Sequence, residues 1–443
     1  MSYAAAIDQL NSMMPELHTC VGQPRRKFSL EEVRILLHAL GDPHLQFRSV
    51  LIAGTNGKGS TAATLASILS AAGLRTGLYT SPHLERPNER IRLGRAEISD
   101  ADFARLYFRV HETAEALVAS RQLPQHPSYF EVLTAQAFLY YAEEQIDIAV
   151  LEVGMGGRLD ATNVVEPLIS VVTDISLDHT EWLGPTISAI AREKAGILRP
   201  HGAMVTLPQH PEANQVLGEI ATALDVRGVN AAGYMPPAHE DCSGRYSIEV
   251  FGRQMEVDSP LTGAHQHRNI ALAVATAVEL AEQHGFPIAA EAIARGIHST
   301  QWPGRLERIV RGPITWILDV AHNPAGAWAL RSGLRSMLPE GPLHAMVFSC
   351  LRDKPLPELA QILFPLFDQV ILAPIHSARA ASLDDLQAAA RLTGTHPTTA
   401  ASVREALDLA AQLVPAGVIV VSGSVYLVGE ARGLLLGHTG SPA

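Results

Sequence analysis

Apolar positions in this chain fall into short blocks separated by polar, glycine-rich turns, and blocks of two kinds alternate. Residues 49–53, 146–153 and 169–175 are near-continuous runs of small or apolar residues, as expected for parallel strands buried on both faces. Between them lie longer stretches with helical character. Residues 62–72 are rich in Ala, Leu and Ile and close on Gly73, as a helix C-cap does. Residues 100–121 and 128–145 read as two more helices, and Ser29-Leu30-Glu31-Glu32 opens another that ends near Gly41-Asp42-Pro43. Residues 75–79 form a short strand stopped by Pro82, residues 86–95 a polar loop, and a helix after Gly184-Pro185 runs to Gly196. This alternation from 49 to about 230 predicts a doubly wound, mostly parallel α/β sheet. Residues 230–262 change to Gly, Pro and polar residues with short β-like pieces, a small antiparallel excursion, before an Ala-rich helix at 270–284. Trp302-Pro303-Gly304-Arg305 reads as a linker. A second, smaller Rossmann-like α/β pattern follows, with strands at 315–320, 343–350, 369–373 and 418–422. Two units are expected, 1–302 and 303–443, in keeping with a length too great for one core.

The chemistry sits where polar residues interrupt apolar runs. After the strand at 49–53 comes Gly54-Thr55-Asn56-Gly57-Lys58-Gly59-Ser60-Thr61, then a helix. Strand, Gly-Lys turn and helix N-terminus form a phosphate cradle of backbone N–H groups with one point charge at Lys58. Against the pattern G-x-x-x-x-G-K-[ST], Ile52 replaces the first glycine and Gly59 the Mg²⁺-binding hydroxyl. Ser81, in the loop after the next strand, is either the replacement hydroxyl or a turn serine. Glu152 ends an otherwise apolar strand, and burying a carboxylate there requires a cation or donor. It reads as a metal carboxylate, with a structural ion pair as the alternative. His179, at the third strand end of the same edge, is a candidate ligand. His265 and His267 lead into a helix without further ligands nearby, which favours capping and packing.

Composition narrows the classes. Thirty-four Lys and Arg against 45 Asp and Glu give a net charge of −11, which disfavours a nucleic-acid surface. Anionic substrates must be met by local cations; Arg25-Arg26-Lys27 is one small basic cluster, and a solvated loop explains it equally. Cys20, Cys242 and Cys350 form no pair with metal or redox spacing, so a reduced, cytoplasmic protein is expected. The first 14 residues contain Asp8 and no basic n-region, unlike a signal peptide. No apolar run is long enough to span a membrane.

Six motifs in order now resemble folylpolyglutamate synthases, relatives of the Mur ligases that in bacteria are often bifunctional with dihydrofolate synthase. They are Gly54–Ser60, Thr80-Ser81-Pro82-His83-Leu84, residues 152–163 (EVGMGGRLDATN), Asp178-His179-Thr180, Glu193-Lys194-Ala195-Gly196-Ile197 and Asp319-Val320-Ala321-His322-Asn323-Pro324. The shifted hydroxyl of the Gly-Lys turn is normal in that family. The resemblance implies an ATP-dependent amide ligase. It would phosphorylate a carboxylate of dihydropteroate or a reduced folate and let the amine of L-glutamate displace phosphate from the acyl phosphate.

By motif position, the resemblance implies that residues Thr55 to Thr61 cradle phosphate: Thr55, Asn56, Gly57, Lys58, Gly59, Ser60 and Thr61. Ser81 and Glu152 would hold one Mg²⁺ and His179 would help hold a second, with Ser60 an extra metal or phosphate contact. Lys194 matches a lysine that the family carbamylates, with a plain helix-end lysine as the alternative. Asn269, Arg305 and Asp319 match nucleotide contacts, and His322 lies near the phosphates. Tyr129, Phe130 and Glu131, with Leu159, Asp160 and Ala161, match the pterin-side region. Val320 stands where a small residue is usual, and Arg352-Asp353-Lys354-Pro355 varies the usual ending. A peptidoglycan ligase of the Mur type is the nearest rival, but residues 1–53 are too few for the UDP-binding domain it would need. A non-catalytic ATP-binding module would not need Glu152 with His179. The expectation is a monomer without nucleic-acid or membrane partners.

Overall fold

Along the first strand, β1 (Arg48–Ala53), Val50 and Ile52 enter one core while Leu51 and Ala53 enter another, and all four are fully buried. A strand covered on both faces needs apolar side chains at successive positions, which is why the run reads as continuous. The computed structural model describes residues 2–13, 29–236, 244–335, 337–338 and 344–437. The Arg25-Arg26-Lys27 cluster, Cys20 and Cys242 lie outside the described residues.

The other strands of this sheet are β2 (Thr76–Tyr79), β3 (Ile91–Leu93), β4 (Ala96–Glu97), β5 (Ile148–Glu152), β6 (Ile169–Val172), β7 (Ala203–Thr206) and β8 (Arg227–Asn230). Their order is β4-β3-β2-β5-β1-β6-β7-β8. Strand β1 runs parallel to both neighbours, with Ile52 opposite Glu152 on β5 and Val171 on β6. The turns after β1, β2, β5 and β6 therefore open at one edge, where ligands of such sheets bind. Strands β3 and β4 are antiparallel additions. β3 falls in the stretch 86–95 that reads as a polar loop and β4 lies just beyond it, because strands of three and two residues carry too few apolar positions to register.

Helices Tyr3–Ser12, Leu30–Ala39, Asp100–Ala119 and Tyr129–Glu143 cover one face. Lys58–Ala71, Ala264–His284 and Ala290–His298 cover the other. The helix from Lys58 is buried along almost its whole length. Gly296 approaches it so closely that an added Cβ would lie 2.3 Å from the Cα of Ile68. The helix anticipated at 270–284 begins at Ala264, so His265 and His267 are helical; the His267 ring packs on Tyr246 at 5.0 Å. The excursion is a hairpin of β9 (Arg245–Val250) and β10 (Arg253–Asp258).

The second sheet comprises β11 (Glu307–Arg311), β12 (Ile314–Asp319), β13 (His344–Phe348), β14 (Gln369–Leu372), β15 (Thr398–Thr399) and β16 (Gly417–Ser422), ordered β11-β12-β16-β13-β14-β15. Only β11 pairs antiparallel. Helices on both faces bury it. The two sheets meet through the loop after β2: an added Cβ at Gly429 would lie 1.9 Å from the Leu84 carbonyl oxygen. Arg432 bridges Glu85 of the first unit and Glu307 of the second. Among the described residues, no helix is long and apolar enough to cross a membrane.

Candidate active site

The Gly-Lys turn is shaped by its neighbours. Gly57 has φ +88°, and a Cβ there would lie 2.1 Å from Oδ1 of Asn269. Both the left-handed backbone and the close approach demand glycine. A Cβ at Gly59 would meet Cζ2 of Trp302 at 2.7 Å. Thr55 and Asn56 donate their backbone N–H groups to the Asp174 carbonyl, which ties the turn to the end of β6. The helix then starts at Lys58, leaving its first N–H groups available to an anion. Lys58 Nζ donates to the carbonyls of Gly54 (3.1 Å) and Thr55 (3.2 Å). Ser60 and Thr61 are buried behind it.

Glu152 closes β5 and is 4% exposed. It accepts the Ser81 backbone N–H at 3.1 Å. Burial pushes its pKa up; Lys58, the Ser81 N–H, Arg305 and Arg90 oppose that shift. No Lys, Arg or His among the described residues pairs with it within 4 Å, so its charge is opposed only at longer range by Lys58, Arg305 and Arg90. No cluster of three His, Cys, Asp or Glu among them could hold a metal alone, whereas Mg²⁺ is commonly held by one or two carboxylates, waters and substrate phosphates. Glu152 and the Ser81 loop suit such a site.

Lys194, at the end of the helix Ile187–Ala195, is buried and donates to the Gly54 carbonyl at 2.7 Å. Burial, with the charge of Lys58, brings its pKa down to about 7. A substantial fraction is thus the free amine near neutrality. His179 has a left-handed backbone at the start of the short helix Thr180–Leu183. Burial lowers its pKa to about 4 against the pull of Asp178, so it is neutral at pH 7 with a ligand lone pair available.

The second unit supplies the facing wall. Arg305 is half-buried; desolvation lowers its pKa, with Asp319 and Glu152 opposing. Asp319 accepts backbone N–H groups from Leu306 (3.0 Å) and Ala321 (2.9 Å), one per carboxylate oxygen, which fixes its plane. His322 donates through Nδ1 to the Val320 carbonyl at 2.9 Å, leaving Nε2 3.6 Å from Asp178. Asn269 donates to Gln266 at 2.9 Å while its other amide atom packs on the turn. Asn269 therefore meets the nucleotide turn directly, while Arg305 and Asp319 lie on the wall across from it.

On the far side of Glu152, Phe130 and Asp160 converge on Gly154: a Cβ there would lie 2.7 Å from the Phe130 ring and 3.2 Å from Asp160 Oδ2. Asp160 is buried, which raises its pKa against hydrogen bonds from Thr162 and Met155. Ala161 is buried next to it, whereas Leu159 is exposed. The Arg90 guanidinium lies over the Tyr129 ring at 5.2 Å. Glu131 is turned back to its own helix start, where its carboxylate accepts the Ser128 N–H in a capping box.

The pattern matches known sequences and structures over its whole extent. Residues 52–277 match the Mur ligase middle domain and residues 304–425 the Mur ligase glutamate ligase domain. Folylpolyglutamate synthase of Lacticaseibacillus casei is 37% identical over 409 residues, 91% of this chain and 93% of the relative. The chain belongs to the folylpolyglutamate synthase family of the Mur ligases. Dihydrofolate synthase/folylpolyglutamate synthase of Mycobacterium tuberculosis is 35% identical over 444 residues, 92% of this chain and 90% of that one. A crystal structure of the Mycobacterium tuberculosis folylpolyglutamate synthase, complexed with ADP and AMPPCP, superposes with a TM-score of 0.88 at 33% identity and full coverage of both chains.

Sequence reasoning passed over several members of the site. Asp178 accepts Lys354 Nζ at 2.7 Å and Asn323 Nδ2 at 3.0 Å, and Asn323 also donates to Asn56 Oδ1 at 3.0 Å. Trp302 was placed only in a linker, yet it lies against Gly59. Asp178 and Asn323 sit inside recognised motifs and Lys354 inside the Arg352-Asp353-Lys354-Pro355 segment noted as a variation on the family's ending, which was the available signal.

Proposed function

We propose that this chain is an ATP-dependent ligase that joins L-glutamate to dihydropteroate, giving dihydrofolate, and to the γ-carboxyl of reduced folates. Carrying this reading is one edge that holds Lys58 at a helix N-terminus and a buried, unpaired Glu152, faced by Arg305 and Asp319 of the second unit. The relatives named dihydrofolate synthase/folylpolyglutamate synthase support the double activity.

The turn N–H groups from Thr55 to Thr61 and Lys58 hold the β- and γ-phosphates, and Lys58 offsets charge as the γ-phosphoryl leaves. Asn269 and Arg305 clamp the nucleotide, and Asp319, with free lone pairs beside its two N–H bonds, accepts ribose hydroxyls. Glu152, Ser81 and Ser60 would hold one Mg²⁺ and His179 would help hold a second. A Mg²⁺ ion held there would supply positive charge against the phosphates. Phe130, Tyr129 and Asp160, with Leu159 and Ala161 at the rim and Glu131 shaping the helix start, position the pterin so that the substrate carboxylate meets the γ-phosphate. The carboxylate oxygen attacks phosphorus and ADP leaves, which turns a poor electrophile into an acyl phosphate. The glutamate amine then adds to the carbonyl carbon, and phosphate departs from the tetrahedral adduct with the substrate oxygen. His322 faces the phosphates from the second unit.

Lys194 is carbamylated in this reading: its free amine adds to CO₂ with loss of a proton, and the resulting carbamate would offer anionic oxygens to a second Mg²⁺. Its burial and lowered pKa support this, because only an unprotonated amine reacts. The division into a nucleotide and folate unit, 1–302, and a glutamate unit, 303–443, follows the two sheets. The chain acts as a cytoplasmic monomer, which sedimentation of the purified protein checks.

ADP release with ATP, Mg²⁺ and glutamate tests the reading against three acceptors: dihydropteroate, tetrahydrofolate and a UDP-muramoyl peptide. Turnover with the first two is expected. Turnover with tetrahydrofolate alone restricts the activity to chain extension, and turnover only with the peptide refutes a folate ligase.

A further inference from the structure

Asp178 stands between the two units, and its partners come from both. On its own side are His179, with Nε2 at 3.9 Å, and, through Asn323, Asn56 of the nucleotide turn. From the second unit come Lys354, Asn323 and His322. The side chains of Asp178 and Lys354 are only 9% and 6% exposed. Asn323 donates to both Asp178 and Asn56, while Asn56 donates back to Asn323 (3.4 Å) and to Ser176 Oγ (3.1 Å). Asn323 Oδ1 is fixed in turn by the Gly326 N–H at 2.8 Å, as the N-cap of the helix Pro324–Leu334. One unbroken chain of hydrogen bonds thus runs from the loop after β13 through Asp178 to a residue two positions before Lys58.

Such a network has little to offer as plain glue. A buried ion pair gives up hydration that its mutual attraction roughly offsets. Its members would be solvated if the units separated, so the network's bonds exist only in this closed geometry. Networks of this kind define one arrangement more than they deepen it. The charge logic agrees. An anion beside a phosphate cradle repels substrate unless neutralised, and Lys354, 2.7 Å from Asp178, supplies the compensating charge only when the second unit is docked.

We propose that Asp178 is a positioning residue for the ligase reaction: through Lys354, Asn323 and Asn56 it makes alignment of the nucleotide turn conditional on closure of the second unit. It touches neither nucleotide nor folate and acts through its neighbours. The proposal rests on the ligase reading, but two of its readouts need no turnover.

The test uses the full chain with Asp178→Asn, Lys354→Met and the double variant. Measurements are kcat and KM, AMPPCP affinity, and the radius of gyration by X-ray scattering with and without AMPPCP. Each single variant should lose about ten- to a hundredfold in kcat while AMPPCP binds within about threefold of wild type, since the cradle itself is intact. Both should scatter as a larger particle. The double variant should be no worse than the poorer single, because one network is broken once. Losses that multiply in the double variant overturn the proposal. So does a wild-type kcat for Lys354→Met. A thousandfold loss confined to Asp178→Asn also overturns it, since Asp178 would then act directly. A purely structural role would lower Tm and leave kcat per folded molecule unchanged, which equally refutes it. Absence of wild-type turnover on folates refutes the ligase reading instead, and leaves the scattering and binding comparison to judge closure.

Discussion

Replacing Lys194 by Met isolates the cost of a buried amine. In the folded chain burial, helped by Lys58, holds this group at about 7, against 10.5 for the unfolded side chain. At roughly 1.4 kcal/mol per pKa unit the gap corresponds to about 5 kcal/mol. The sign follows from proton counts. Below pH 7 both states carry the proton, and the fold bears the full cost of a buried ammonium. Between about 7 and 10.5 the unfolded amine is protonated and the folded one is not, so stability rises with pH. Over pH 7.5 to 9.0 this amounts to about 2 kcal/mol. Methionine fills a similar volume without titrating. Urea unfolding of the wild type and Lys194→Met, in CO₂-free buffer across that range, should give a difference in unfolding free energy that shifts by about 2 kcal/mol in favour of the wild type as pH rises. A difference that stays flat with pH would mean that Lys194 is protonated in the fold. It would also remove the physical basis for its reaction with CO₂.

Lys58→Met should cut turnover by about a hundred- to a thousandfold with little change in Tm, because its folded-state bonds are two turn carbonyls; steady-state ADP release and calorimetry check both halves. Glu152→Gln removes the charge but keeps the Ser81 hydrogen bond, and the Mg²⁺ concentration for half-maximal rate should rise about tenfold or more; an unchanged Mg²⁺ titration refutes the metal role. Gly59→Ala places a Cβ 2.7 Å from the Trp302 ring, a clash worth about 1–3 kcal/mol, read as a lower Tm and a raised KM for ATP. Trp302→Leu in the same chain should recover part of the Tm loss.

What was legible in the sequence follows from burial. Strands β1, β5 and β6 lie between two helical layers and must be apolar at successive positions, so a polar residue such as Glu152 stands out and marks the edge where chemistry is done. Strands at the margins carry no such contrast: β8 is mostly exposed, and β3 has three residues. Their existence depends on backbone pairing that side chains do not announce. Pairings between distant residues were equally silent. Lys354 and Asp178 are 176 positions apart, and no periodicity links them. Glu131 reads two ways. Its place beside two aromatics could hold a flat heterocycle, with helix-start packing the commoner explanation, and its carboxylate accepts the Ser128 N–H in a capping box.

The departure of the Gly-Lys turn from the usual pattern has a structural cause in the linker. The generic turn would carry its metal hydroxyl at position 59, but any side chain there enters the space of the Trp302 ring. That ring is fixed by Arg92, whose guanidinium lies over it at 5.6 Å, and three residues later Arg305 turns into the site. A serine at 59 would displace Trp302, and with it the start of the segment that delivers Arg305 and, through the Leu306 N–H, orients Asp319. Glycine at 59 lets the linker lie directly on the helix N-terminus that binds phosphate. In the ligase reading the hydroxyl then comes from Ser81, whose backbone N–H already bonds Glu152. The missing hydroxyl and the reach of the second unit are thus one feature, and exchanging residue 59 should disturb nucleotide binding from both sides at once.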